Sequence, residues 1–209
     1  ADHLDRYPDL KAYGQSKARL FACQSEGDTA VLNKADALIR ELATGIAAGK
    51  CLFNTDGHPA GCGAWIENGN VCLSMPGLGM EKEVICGADI CLPGRHNLEN
   101  ISAAALAALA AGADFNGVVR GVKEFVPDPH RLQRVDLIGG VDFYDDSKAT
   151  NVDAVLRAVE AVRPPVVLIL GGRDKGGGYE ALKSTICQRV KALVLLGEAA
   201  ETIERQLGG

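Results

Sequence analysis

Apolar and polar positions alternate along this chain in two rhythms, one near 3.6 residues and one of two, and together they predict interleaved helices and strands. Leu10, Tyr13, Leu20 and Phe21 follow the helical rhythm, and Lys17 falls on their stripe, which predicts a helix turning that lysine inward. Thr29 to Asn33 reads as a strand, Asp36 to Ala47 as a helix and Cys51 to Asn54 as a second strand. Ala64 to Glu67 and Val71 to Ser74 flank Asn68-Gly69, a pair that takes positive φ readily, so they predict an antiparallel hairpin. Gly77 and Gly79 mark a loop. The Ala-rich stretch Asn97 to Ala111 predicts a helix stopped by Gly112, and Asp114 opens another that runs to Phe125.

Val126-Pro127-Asp128-Pro129 breaks the helical pattern and places a domain seam near Asp128, dividing residues 1–127 from 128–209. Beyond it, Leu132 to Ile138 and Val141 to Asp145 bracket Gly139-Gly140, a second hairpin signal. Val152, Val155, Leu156, Val159 and Val162 form a helical stripe, with Thr150-x-x-Asp153 as its capping box and Pro164-Pro165 as its stop. Val166 to Leu170 suits a strand buried on both faces. A helix from Tyr179, a strand at Ala192 to Leu196 and a helix from Glu198 follow, so the predicted fold class is α/β.

Composition narrows the function. At about 150 residues per domain, 209 residues make one or two domains. Twenty-five glycines exceed the usual share of about 7%, which points to tight turns and close approaches of backbone to ligand. Lys+Arg 22 against Asp+Glu 27 gives −5, which disfavours non-specific nucleic-acid or polybasic membrane binding. The longest apolar stretches fall short of the ~20 residues of a membrane helix, so no membrane insertion is expected. The chain opens without a basic segment leading into an apolar one, so no secretory signal is expected either. Cysteines at 23, 51, 62, 72, 86, 91 and 187 include no C-x-x-C pair; neither a zinc site nor a disulfide framework is readable, and free thiols in the cytoplasm are expected.

Candidate chemistry concentrates at two predicted strand ends, where open α/β sheets bind ligands. Asp145-Asp146-Ser147-Lys148-Ala149-Thr150-Asn151 lies between a strand and a helix; it would serve equally as a plain connector with Thr150 as N-cap. Gly171-Gly172-Arg173-Asp174-Lys175-Gly176-Gly177-Gly178 follows the next strand and matches neither a Walker A loop nor G-x-G-x-x-G. Lys148, Lys175 and Arg131 could form one cationic cleft for carboxylates or phosphates, or simply be solvated. Lys17 either snorkels to water or, if buried, has a lowered pKa and reacts with carbon dioxide to give a carbamate able to bind Mg²⁺. Asn97 and Asn100 either cap their helix or offer amides to an adenine edge.

Four segments resemble the Mur ligases, the amide ligases of bacterial cell-wall synthesis. They are Asp2-His3-Leu4-Asp5-Arg6-Tyr7 with Lys17, Gly94-Arg95-His96-Asn97 with Asn100, Pro129-His130-Arg131, and Asp146-Ser147-Lys148-Ala149-Thr150-Asn151 followed by Gly171-Gly172-Arg173-Asp174-Lys175. The resemblance runs essentially end to end. It implies the rear of a central ATPase domain followed by a Rossmann-like glutamate-ligase domain, and ATP-dependent addition of D-glutamate to UDP-N-acetylmuramoyl-L-alanine through an acyl phosphate. By matched position, His3 and carbamylated Lys17 would bind Mg²⁺ and Asn97 and Asn100 the adenine. Arg131 and Asp146 would meet the phosphate and ribose of ATP, and Lys148, Thr150 and Lys175 would hold D-glutamate; Lys17, His3, Arg131 and Lys148 are the expected catalytic set. The family's uridine-nucleotide domain, its phosphate loop ending in Lys-Ser/Thr, its central acidic Mg²⁺ ligand and its closing C-terminal segment have no match here. The spacing from Tyr7 to Lys17 is one residue short. These residues by themselves are therefore expected not to turn over. Two other classes compete, a non-catalytic anion- or nucleotide-binding module and, disfavoured by the glycine spacing, a nicotinamide oxidoreductase.

Overall fold

A computed structural model describes residues 7–174 and 178–208. The chain divides into two compact units, Ala1–Phe125 and Val126–Gly209. In the first, the elements run α1 (Leu10–Ala18), β1 (Thr29–Asn33), α2 (Ala37–Leu42), β2 (Gly49–Thr55), β3 (Gly63–Glu67), β4 (Asn70–Met75), β5 (Met80–Ile85), α3 (Arg95–Ala110) and α4 (Phe115–Lys123). The strands form one sheet in sequential order, β1 to β3 parallel and β3 to β5 antiparallel.

Because successive strand residues point to opposite faces, β1 divides its side chains between two cores. Ala30 and Leu32 pack with Ala43, Ala48 and Ile39 on the side of α2. Val31 joins the larger core in which Ala105, Leu106 and Leu109 of α3 meet Val71, Leu73 and Ile85. The abundance of alanine lets α3 lie close to the sheet, and Gly112, at φ 95°, ends the helical run as the sequence predicts.

The structure departs from the sequence pattern in three places. The stripe on α1 does not turn inward: Leu10 and Leu20 are 50% and 77% exposed, and Gly14 is the buried residue. A Cβ at Gly14 would stand 2.7 Å from Leu38 Cδ2, so α1 docks on the α2 leucines through the absence of a side chain rather than through large apolar ones. Strand β5 was not predicted, because Glu81, Lys82 and Glu83 mask its period; charges suit a strand at the end of a sheet. Finally, Cys51 and Cys62 are joined in a disulfide, with Cα atoms 4.6 Å apart, whereas the other five cysteines are free as expected. Parallel pairing of β2 with β3, which spacing along the chain does not reveal, brings the two together.

The second unit opens with the hairpin β6 (Gln133–Ile138) and β7 (Val141–Asp145), turned by Gly139 and Gly140 at φ 59° and 81°. It continues with α5 (Val152–Ala161), β8 (Val166–Gly171), α6 (Lys183–Arg189), β9 (Val190–Leu196) and α7 (Ala200–Leu207), in which β8 and β9 pair in parallel. The N-cap of α5 is Asn151, whose side chain accepts from the Ala154 amide, and not the predicted Thr150. Arg189 donates to the carbonyls of Val159 and Val162, satisfying the C-terminal end of α5. Strand β8 is not buried on both faces. Leu168 and Leu170 are half-buried on the side of the helices, where Val159, Leu182 and Ile203 are buried, while Val167 and Ile169 are 60% and 65% exposed. No helix among the described residues is long and apolar enough to cross a membrane.

Candidate functional site at the carboxyl end of the first C-terminal hairpin

Strand β7 ends at Asp145, and the polar stretch that follows folds against the segment 128–133 that enters β6. Three hydrogen bonds fix the crossing. His130 Nδ1 donates to Asp145 Oδ2 at 2.6 Å, the Leu132 amide donates to Asp146 Oδ1 at 2.8 Å, and the Lys148 amide donates to the His130 carbonyl at 3.1 Å. His130 and Leu132 take positive φ, 65° and 41°, an unfavourable backbone for non-glycine residues that these bonds hold in place. The crossing sets Lys148 beside Asp128, Nζ to Oδ2 2.6 Å, with both side chains roughly half exposed. Asp128 is held below the ordinary carboxylate range first by the hydrogen bond from Lys148 and least by the charge of Arg131, whose chain neighbours His130 and Leu132 are the residues bonded to Lys148 and Asp146.

Chemically, Asp145 and Asp146 position backbone and His130, whereas Lys148 and Arg131 are the groups able to receive an anion, provided that Asp128 yields its place. Asp145 titrates at about 2 instead of 3.8, chiefly because His130 donates to it and then because the Ser147 amide does. A depressed folded-state pKa stabilises the fold above the unfolded value and loses that contribution as pH falls through the folded one. The stability difference between the wild type and Asp145→Asn should therefore be constant above about pH 4 and vanish towards about pH 2. Urea unfolding midpoints across that window test this; a difference that persists at pH 2 would contradict it.

The structure brings together Arg131, Asp146 and Lys148, with Thr150 exposed two residues further on. Lys175 and His3 lie outside the described residues. In the first unit, Asn97 is 7% exposed and donates its Nδ2 to the Pro93 carbonyl at 2.7 Å, so its amide secures the turn into α3, while Asn100 is exposed one turn on. Lys17 is exposed, its Nζ 5.4 Å from the Tyr13 ring centroid, rather than turned inward; the buried position of α1 is Gly14. Among the described residues, no three His, Cys, Asp or Glu side chains gather as a metal site.

Sequence reasoning missed Asp128, which sits in a proline-rich linker and gives no local signal, and the pairing of His130 with Asp145, although both lie in or beside motifs already singled out. It also missed Asn54, at φ 60°, which accepts from Arg95 Nη2 at 3.3 Å where α3 begins.

The order of elements and the paired loops define an α/β chain of two units, and comparison with known proteins gives the family. Residues 1–108 match the Mur ligase middle domain and residues 130–209 the Mur ligase glutamate ligase domain. The chain belongs to the Mur ligase family. It is 43% identical over 208 residues to the UDP-N-acetylmuramoylalanine–D-glutamate ligase of Desulfosudis oleivorans, which spans 100% of this chain and 45% of that relative. It is 41% identical over 204 residues to the enzyme of the same name from a Geobacillus species, covering 97% and 44% respectively. The chain thus spans about half the length of the curated relatives it matches. Among solved structures it resembles MurF from Acinetobacter baumannii, with a TM-score of 0.78 at 17% identity, covering 98% of this chain and 46% of that one. Escherichia coli FolC in complex with DHPP and ADP gives 0.67 at 19%, covering 100% and 49%. At such identities these two likenesses establish the fold.

Proposed function

We propose that these residues are the rear of a central ATP-binding domain and most of the amino-acid-binding domain of a D-glutamate ligase that extends UDP-N-acetylmuramoyl-L-alanine in the cytoplasm. The observation that carries the reading is Lys148, set at the end of β7 with Arg131 around one displaceable carboxylate, Asp128. The names of the relatives, which share 38–43% of their residues with this chain, support the choice of amino acid.

A carboxylate does not react with an amine at neutral pH, because its oxygen is a poor leaving group; ATP supplies the phosphoryl group that improves it. The residues of this chain bind and orient. Lys148 and Thr150, with Lys175, hold the carboxylates of D-glutamate so that its amine is presented rather than its acid groups. Arg131 and Asp146 serve the phosphate and ribose of the nucleotide, and Asn100, with Asn97 behind it, the adenine. Asp146 already accepts the Leu132 amide through one oxygen, which leaves its second oxygen for a ribose hydroxyl. His3 and Lys17 as a carbamate are the Mg²⁺ ligands that the resemblance implies; exposure of Lys17 supplies none of the burial that would promote the modification, and a mass increment of carbon dioxide on its peptide in bicarbonate buffer decides whether it forms.

Because Asp128 occupies Lys148 at rest, substrate has to displace it. Asp128→Asn should raise affinity for D-glutamate by roughly two- to five-fold, since an exposed ion pair resists displacement only weakly. Calorimetric titration decides this, and weaker binding in the variant would mean that Asp128 belongs to the binding site.

The function itself is tested with a longer polypeptide that joins these 209 residues to the uridine-nucleotide domain and phosphate loop that the resemblance calls for, supplied with ATP, Mg²⁺ and UDP-N-acetylmuramoyl-L-alanine. Phosphate release and a product heavier by one glutamyl residue are expected with D-glutamate and not with L-glutamate. Product formed with another amino acid, or binding of unrelated sugar phosphates in preference to both ATP and D-glutamate, would overturn the reading; the latter would indicate an anion-binding module.

A further inference from the structure

Cys51 lies on β2 and Cys62 immediately before β3, and nothing in the ligase chemistry uses either. Leu52 pairs with Gly63 across these parallel strands, and the Leu52 amide donates to the Cys62 carbonyl at 3.1 Å, so the residues one step earlier on each strand are neighbours. Their Cα separation of 4.6 Å lies within the span of about 4.4–6.8 Å that a disulfide bridges. We propose that Cys51 and Cys62 are a reversible thiol–disulfide modification site, oxidised by a small-molecule disulfide and reopened by a dithiol, that ties β2, which carries Asn54, to the start of β3.

The two sulfurs differ in access. Cys51 is 3% exposed, and Cys62, at the end of the mostly exposed loop 56–61, is half-buried. The order of events follows from that difference. The Cys62 thiolate attacks the small disulfide, forming a mixed disulfide and releasing one small thiolate; the Cys51 thiolate then attacks the Cys62 sulfur and releases the second. The protein loses two hydrogens, and the small disulfide gains them as two thiols. Reduction by a dithiol reverses both exchanges.

The bridge joins cysteines 11 positions apart, and Asn54 lies between them. Asn54 donates to Asn33 Oδ1 at 3.5 Å and accepts from Arg95 at the start of α3, and it does so from a left-handed backbone at φ 60°. A covalent tie between the two strands holds the segment on either side of that residue, so the oxidised form has the more rigid loop. The remaining cysteines serve as internal standards: Cys23, Cys86, Cys91 and Cys187 are exposed and free, and Cys72 is buried and free.

The experiment equilibrates the chain in glutathione buffers from reducing to oxidising, denatures it, alkylates the thiols and maps the products by mass. Cys51 and Cys62 should lose alkylation together, with loss of two hydrogens and no glutathione, and regain it after dithiothreitol, while the exposed cysteines carry glutathione adducts. Limited proteolysis within residues 56–61 should slow at least five-fold on oxidation in the wild type. In Cys51→Ala, glutathione should stay on Cys62 and proteolysis should not slow. Alkylation of Cys51 in the fully oxidised sample, or glutathione persisting on Cys62 of the wild type, overturns the proposal. The wild-type mapping decides it even if the variant fails to fold.

Discussion

Replacing Lys148 by alanine should weaken D-glutamate binding by roughly ten- to a hundred-fold. A charge-assisted hydrogen bond contributes about 1.5–3 kcal/mol, and each 1.4 kcal/mol is a factor of ten in affinity. Lys148 is roughly half exposed and its partner Asp128 more so, so little packing is lost and the thermal midpoint should move by no more than a degree or two. Lys148→Arg keeps the charge but not the compact ammonium, and should recover only part of the affinity. The effect should fall on D-glutamate more than on ATP, since Lys148 is proposed to hold the amino acid, and Arg131, Asp146 and Asn100 the nucleotide. Equal losses for both ligands would mean that Lys148 acts through the loop fold, because its amide also bonds to the His130 carbonyl.

The second large effect belongs to stability. Leu106 is fully buried where α3 crosses the sheet, among Leu73, Ile85 and Ala105. Leu106→Ala removes the apolar contact and leaves a cavity that an alanine-rich helix, already close to the strands, has little means of closing. The expected cost is about 3–5 kcal/mol. Against a typical domain stability of about 5–15 kcal/mol, that lowers the thermal midpoint of the first unit by roughly 10–20 °C. Leu10→Ala on the same unit is the matched control: Leu10 is half exposed, so its loss should cost no more than about 0.5 kcal/mol. Similar costs for the two would contradict the assignment of the core to α3 and the sheet.

Much of the architecture was legible because local chemistry and tertiary structure agree. Asn68-Gly69 and Gly139-Gly140 are both hairpin turns, and Thr29 to Asn33 and the β-branched run after Pro165 became strands at nearly their predicted limits. The sequence misled where burial is decided by small or absent side chains. An apolar stripe through Leu10 and Lys17 looked like a buried face, yet α1 docks through Gly14, which carries no hydrophobic signal. Strand β5 hid behind Glu81, Lys82 and Glu83, and the Cys51–Cys62 bridge behind a parallel pairing that only the sheet order reveals. At the candidate site, the rule that ligands gather at strand carboxyl ends located Arg131, Asp146 and Lys148 together. It could not supply Asp128, because a linker aspartate becomes meaningful only when the chain folds back onto Lys148.

The central claim is that the loop after β7 and the segment entering β6 form one receptor for the carboxylates of D-glutamate. Amide chemical-shift mapping of the isotopically labelled chain, titrated with D-glutamate and with L-glutamate, tests it directly. The expected result is saturable shifts at Arg131, Asp146, Ser147 and Lys148 with the D-isomer, and much weaker ones with the L-isomer. Shifts confined to other residues, or identical responses to both isomers, would contradict it.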